Sequence, residues 1–300
     1  MSKIVCFGEV LWDLLPSGKI AGGAPMNVAY HLSRFGYSTT MISRIGQDDL
    51  GIELLQFLNG KGVDTQWIQV DDALPTGIVK VTLTDKGQPS YEIVQPVAWD
   101  DIERNEQNRK VVEASDVFIY GSLAARNEIS QQTLFELLDV AKFKVFDVNL
   151  RPPFYSKDLL EKLLHQANIV KMNDEELEII GAWHEMNEIS QQVNLNHLLT
   201  RLRKIYNLKG IIVTIGAKGA IYSDDTGYYE QNGFPITVQD TIGSGDSFLA
   251  GFMSQYLNSI IPQKCLEFAC ATGAYVATQK GGTPQNSLDT INDFIQNFKH

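Results

Sequence analysis

Short runs of β-branched and aromatic residues alternate with longer stretches in which apolar positions recur every three or four residues. Residues 4–7, 39–43, 117–120, 144–148, 169–171 and 211–215 read as strands, and about 27–35 and 50–59 as helices. Strands separated by helix-length segments predict a mainly parallel sheet with helices on both faces. Residues 76–97 break that rhythm. Two apolar runs, 78–84 and 91–94, flank Asp85-Lys86-Gly87-Gln88-Pro89, the pattern of an antiparallel hairpin around a turn. A hairpin inside a parallel pattern predicts a separate small sheet, joined by residues near 10–20, that closes over a site as a lid. Ile78, Val79, Val81, Leu83, Ile93 and Val94 are too many apolar groups for a free-standing hairpin. A second subunit's lid is a candidate cover, which would make a homodimer. No repeat or long linker divides the chain, so 1–300 reads as one α/β domain with a lid subdomain at about 10–20 and 76–97.

Composition narrows the function more than the fold. With 300 residues, 44% of them apolar, the chain can bury a large core. A formal net charge of −11 with no basic stripe argues against nucleic acid as a partner. It leaves phosphate-bearing ligands open, because backbone N–H groups and a metal hold phosphate locally. Cys6, Cys265 and Cys270 form no Cys-x-x-Cys pair and read as buried thiols, which suits a reducing cytoplasm. No signal peptide or membrane-length apolar stretch is evident, so a soluble, cytoplasmic protein without a membrane partner is expected.

Chemistry concentrates near the C-terminus, in Asp240-Thr241-Ile242-Gly243-Ser244-Gly245-Asp246-Ser247-Phe248. Gly243 and Gly245 let the backbone turn tightly with its N–H groups exposed. An apolar helical pattern starts directly afterwards, and a glycine-rich loop feeding a helix N-terminus makes an anion site. Asp246 is the odd member, since a carboxylate repels a nearby phosphate. It reads either as a first-turn helix residue or as a general base that takes a proton from a hydroxyl while the adjacent amides hold a transferring phosphoryl group.

This stretch resembles the C-terminal signature of the ribokinase/PfkB family of carbohydrate kinases. The family's N-terminal signature is matched by Ala21-Gly22-Gly23-Ala24-Pro25-Met26-Asn27-Val28-Ala29, with Gly36 and Gly46 downstream. The resemblance implies a doubly wound, ribokinase-like sheet with a β lid, and ATP as co-substrate. It implies that Asp246 is the catalytic base and that the backbone of Gly243, Ser244 and Gly245 forms the anion hole.

The sugar end is expected at Asp13, Gly22, Gly23 and Asn27, beside Asp246. A carboxylate at Asp13 can accept from two neighbouring hydroxyls, and Asn27 both donates and accepts. Read alone, Asp13 is equally a turn residue and Asn27 a helix cap. The nucleotide end has no P-loop and no protein-kinase motif. Asn173 and Glu176 stand at capping-box spacing; the resemblance adds that they support Mg²⁺ through water, together with the nucleotide phosphates. By the same resemblance Thr214, Gly216 and Gly219 belong to a nucleotide-phosphate loop that also contains Lys218. Gly243 and Gly245 face the same phosphates. Arg151, in Asp147-Val148-Asn149-Leu150-Arg151, either meets a phosphate or forms a surface ion pair. The segments 274–278 and 281–282 resemble the adenine wall and a loop that often binds K⁺, with Asp240 and the Ile242 carbonyl as ligands. His31 reads as a helix residue that simply packs.

The expected reaction is ATP-dependent phosphorylation of a sugar hydroxyl, first of all fructose to fructose 6-phosphate. The segments 121–124 and 147–151 resemble fructokinases. 2-Keto-3-deoxygluconate, ribose and a nucleoside are the alternatives within the class. An inactive sugar-binding regulator is the alternative outside it, which the intact base and glycines disfavour. Between Thr76 and Trp99 only Lys80 and Lys86 are available to meet an acid substrate, which favours a neutral sugar.

Overall fold

The computed structural model describes residues 2–15, 18–83, 89–184 and 195–298. The turn expected at 85–89 lies, apart from Pro89, outside them. The strands are β1 (Lys3–Phe7), β2 (Leu11–Leu15), β3 (Gly18–Gly22), β4 (Ser38–Gly46), β5 (Ile68–Asp71), β6 (Gly77–Leu83) and β7 (Pro89–Ile93), then β8 (Val117–Gly121), β9 (Lys144–Asp147), β10 (Ile169–Asn173), β11 (Gly210–Thr214), β12 (Gly219–Asp224) and β13 (Gly227–Asn232). The helices are α1 (Ala24–Arg34), α2 (Asp49–Gly60), α3 (Glu106–Ala114), α4 (Glu128–Val140) and α5 (Lys157–Gln166), then α6 (Asp174–Ala182), α7 (Leu195–Tyr206), α8 (Ser244–Tyr256), α9 (Pro262–Ala277) and α10 (Leu288–Asn297).

Nine strands form the main sheet in the order β13-β12-β11-β10-β9-β8-β1-β4-β5. Every pairing from β5 across to β11 is parallel, and β12 and β13 add an antiparallel edge. The alternation of strand side chains splits the core in two. Ile4, Cys6, Ile119 and Ile212 join one apolar cluster with residues of α1, α2, α8, α9 and α10. Val5, Phe7, Phe118 and Ile211 join the other, with residues of α3 to α7. Strands that are apolar throughout are therefore strands covered on both faces. The sequence pattern missed β5, β12 and β13, short runs in which glycine or polar residues interrupt the apolar signal.

The chain runs from β1 towards β4 on one side and later continues at β8 on the other. The strand order thus reverses beside β1, and in open α/β sheets a crevice opens at such a point, beyond the carboxyl ends of the strands. Four further strands form the smaller sheet, β3-β2-β6-β7. It combines two hairpins through a parallel β2–β6 pairing. Leu11, Val79 and Val81 are buried in a small cluster with Leu15 and Ile93 packed against it, and Ile78 packs on the main core. A single chain thus covers much of the apolar surface that made a second subunit a candidate.

Candidate functional site

A cavity of about 580 Å³ fills that crevice, between the small sheet and the carboxyl ends of the main strands. Leu11, Asp13, Val79 and Ile93 face it from the small sheet. Leu123, Asn149, Arg151, Asn173 and Thr214 face it from segments at the ends of β8 to β11. Gly23, Ala24 and Asn27 enter from the start of α1, and Thr241 to Gly243, Gly245 and Asp246 from the start of α8. Residues 13, 27 and 246, far apart in the chain, share one space.

The loop before α8 has the properties its glycines imply. Gly243 adopts a left-handed φ of 71°. A Cβ there would lie 2.4 Å from the Gly282 Cα, so both the turn and the packing need glycine. The first helical bond runs from the Ser247 N–H to the Gly243 carbonyl, at 2.8 Å. The amides of Gly243, Gly245 and Asp246 have no partner among the described residues. They are orphan donors of a helix N-terminus, and all three residues line the cavity. Ser244 departs from expectation: its N–H donates to the Thr241 carbonyl and its hydroxyl to the Gly273 carbonyl. The amide set is therefore Gly243, Gly245 and Asp246, because the turn spends the Ser244 amide on itself.

Asn27 Nδ2 donates to Asp246 Oδ2 at 2.7 Å. This is a long-range contact rather than a helix cap, and Gly23 holds the capping position of α1. Burial, with the nearby Asp147 charge, pushes the Asp246 carboxyl up to about 6; Lys171, the Asn27 bond and Arg151 act the other way. Burial also raises Asp13 to about 6 and Glu9 to about 7. Glu9 Oε1 accepts from the Ala24 N–H at 3.3 Å. A Cβ on Gly22 would sit 2.5 Å from Asp13 Oδ2, so glycine lets β3 pass close to that carboxylate.

Asn173 and Glu176 complete a capping box: Asn173 Oδ1 accepts from the Glu176 N–H at 2.8 Å, and Glu176 Oε2 from the Asn173 N–H at 2.9 Å. Glu176 Oε1 also accepts from the Leu150 N–H at 2.7 Å, which fastens the segment after β9 to the head of α6. Thr214 reaches the cavity, whereas Gly216, in the turn between β11 and β12, and Gly219, the first residue of β12, do not line it. Asp240 accepts from the Ile242 N–H at 3.0 Å and the Gly281 N–H at 2.9 Å, joining two loops beneath Gly243. Among the described residues no group of three or more His, Cys, Asp or Glu could hold a metal by itself.

Two charged cavity residues escaped the sequence reading. Glu9 was hidden behind Asp13. Lys171 carried a visible signal, a charge inside the apolar run Ile169-Val170-Lys171-Met172. Its Nζ donates to both oxygens of Asp147, at 2.9 and 3.1 Å. His31 does more than pack. It is buried, Nε2 lies 2.8 Å from the Gly282 carbonyl, and Nδ1 lies 2.9 Å from Asn286 Nδ2. Burial lowers its pKa to about 4, so it is neutral and fixes the loop against Gly243.

This architecture is ribokinase-like, a doubly wound sheet with a smaller sheet at its crevice. A solved fructokinase with bound ATP from Xylella fastidiosa superimposes with a TM-score of 0.85 over 99% of each chain, at 25% identity. The model for the pfkB family carbohydrate kinases matches residues 1–290, and the chain belongs to that family. A probable fructokinase-3 of Arabidopsis thaliana is 31% identical over 95% of this chain and 89% of its own length. Fructokinase-2 of Solanum lycopersicum is 29% identical over 99% and 96%. The protein is a carbohydrate kinase.

Proposed function

We propose that the chain transfers the terminal phosphoryl group of ATP to fructose, giving fructose 6-phosphate. The observation that carries this reading is the convergence of Asp246, held by Asn27, and the free amides of Gly243, Gly245 and Asp246 in one cavity. Asp246 takes the proton of the sugar hydroxyl as that oxygen attacks the phosphoryl group. The amides stabilise the charge on the transferring group, and they are oriented before the reaction begins. Asp13, Asn27 and the backbone near Gly22 and Gly23 hold the other hydroxyls. Thr214, Asn173 and Arg151 lie on the nucleotide side, with Gly216 and Gly219 shaping the turn behind them.

An isolated protein cage for a metal is absent among the described residues, and the donors present are oxygens. Such a set fits Mg²⁺ that enters with the nucleotide and keeps waters between itself and Asn173 and Glu176. Bound there, Mg²⁺ would neutralise phosphate charge. Asp240 and the Ile242 carbonyl are oxygen donors suited to K⁺ beneath the anion loop. The small sheet, walling the cavity with Leu11, Asp13, Val79 and Ile93, serves as a lid that excludes water.

Fructose is favoured over an acid sugar by the charges of the cavity. Its cations are Arg151 and Lys171, and Lys171 is already paired with Asp147, while Glu9 and Asp13 line the sugar side. Fructokinase relatives support the same choice. The test is a panel of fructose, ribose, 2-keto-3-deoxygluconate and a nucleoside with ATP and Mg²⁺, with the product position read by NMR. Fructose should give the highest kcat/KM and the 6-phosphate. A higher value for another acceptor refutes the assignment.

A further inference from the structure

We propose that Lys171 is the cation that receives the terminal phosphoryl group of the nucleotide, and that Asp147 holds it in place until the nucleotide arrives. The inference rests on the phosphotransfer reading of the cavity, and it adds a residue that neither signature motif contains.

Depth is the first observation. Lys171 lies on β10 between buried Val170 and Met172 and is 7% exposed, yet it lines the cavity. Bringing two charges to such a depth carries a desolvation cost that can exceed their attraction, and an apolar pair of similar size is often as stable. Stability alone is a poor reason for a Lys171–Asp147 pair at this position.

The second observation is what the ammonium faces. A Cβ on Gly245 would lie 3.1 Å from Lys171 Nζ, so Nζ stands directly against the first turn of α8. A helix N-terminus carries positive partial charge and favours anions. A lysine placed there sets two positive groups side by side, an arrangement that becomes favourable when an anion lies between them. Asp147 answers the lysine from one side. The free amides of Gly245 and Asp246 mark the other side as the place for a phosphoryl group.

Donor capacity is the third. An ammonium carries three N–H donors, and the two oxygens of Asp147 accept two. No other acceptor bonds Nζ among the described residues. The third donor remains for the ligand, and a small rotation of the flexible stem moves Nζ from Asp147 towards Gly245. Around it stand the carboxylates of Asp147 on β9, Asp246 on α8 and Glu176 on α6, with the Arg151 cation on the segment after β9. These surroundings keep Lys171 in its ammonium form, as its raised pKa agrees, with the Asp147 charge the largest factor opposing burial.

ADP lacks the terminal group, so the proposal predicts that Lys171 contributes to ATP affinity and not to ADP affinity. Calorimetric affinities for both nucleotides, with turnover, are compared in wild type, Asp147→Asn, Lys171→Met and the double variant. The double variant removes the buried pair as a unit, so it folds even where Lys171→Met, with its stranded carboxylate, does not. Its preference for ATP over ADP should fall by about tenfold or more, the effect of losing a hydrogen bond from a charged group. Its kcat should fall with it, and its ADP affinity should stay within about threefold of wild type. Asp147→Asn, which keeps the lysine, should retain the ATP preference.

A double variant with wild-type ATP preference and turnover overturns the proposal, since Lys171 would then only neutralise Asp147. An equal loss in Asp147→Asn overturns it too. Wild-type turnover in the same series keeps the two readings separate. If wild type phosphorylates no sugar, the functional reading fails; if it does and the double variant matches it, only the role of Lys171 fails.

Discussion

Replacing Asp246 with Asn isolates proton acceptance from everything else the side chain does. Asn has nearly the same volume and can turn its amide oxygen towards Asn27 Nδ2, preserving the 2.7 Å contact that ties α1 to α8. The amides of Gly243 and Gly245 belong to the backbone and persist. What disappears is the base, whose contribution in such reactions is about 10²- to 10⁴-fold. The raised pKa also gives the direction of the pH dependence. Burial raises the Asp246 carboxyl to about 6, so at pH 7 about nine molecules in ten carry the reactive carboxylate. As pH falls through about 6 the group takes up a proton and kcat should decline towards a tenfold loss per pH unit. Because burial also raises Asp13 to about 6, the profile is measured as kcat at saturating sugar, where weakened sugar binding does not enter. Coupled-enzyme assays of kcat against pH, with calorimetry for ATP and a thermal melt, give the required comparison. Asp246→Asn should melt and bind ATP like wild type, turn over at least a hundredfold more slowly, and lose the acid limb in its residual rate. A correctly folded variant within tenfold of wild type, or one that keeps the acid limb, would refute the assignment.

Three further outcomes follow from the same geometry. Asp13→Ala should weaken sugar affinity by about 1.5–3 kcal/mol per charged hydrogen bond lost while leaving ATP affinity in place; unchanged calorimetric affinity for the sugar would return Asp13 to a turn residue. Gly243→Ala forces a left-handed φ on alanine, costing about 1–2 kcal/mol, and drives its Cβ to 2.4 Å from Gly282 Cα. Both the melting temperature and kcat should drop, and an unaltered melt and rate would contradict the tight loop. Saturating sugar should slow amide hydrogen exchange in β2, β3 and β6 if the small sheet closes as a lid; identical exchange with and without sugar would make it a fixed wall.

The sequence by itself determined the parallel core, because strands buried on both faces read as continuous apolar runs. It also located the loop at 243–246, since two glycines ahead of an apolar helical run have few other uses. The hairpin at 76–97 stood out for the same local reason, a change of hydrophobic period. Other features depend on residues far apart in the chain, and local patterns carry no record of those meetings. The Asn27–Asp246 bond, the covering of Val79 and Val81 within one chain, and the clamp of His31 on Gly282 are of this kind. Asn173 and Glu176 show the boundary most clearly: their spacing announces a capping box, but only the fold brings the Leu150 amide to the same carboxylate. Lys171 lies on that boundary as well. Its charge inside an apolar strand was legible, and its meaning came only when the turn at Gly245 was folded against it.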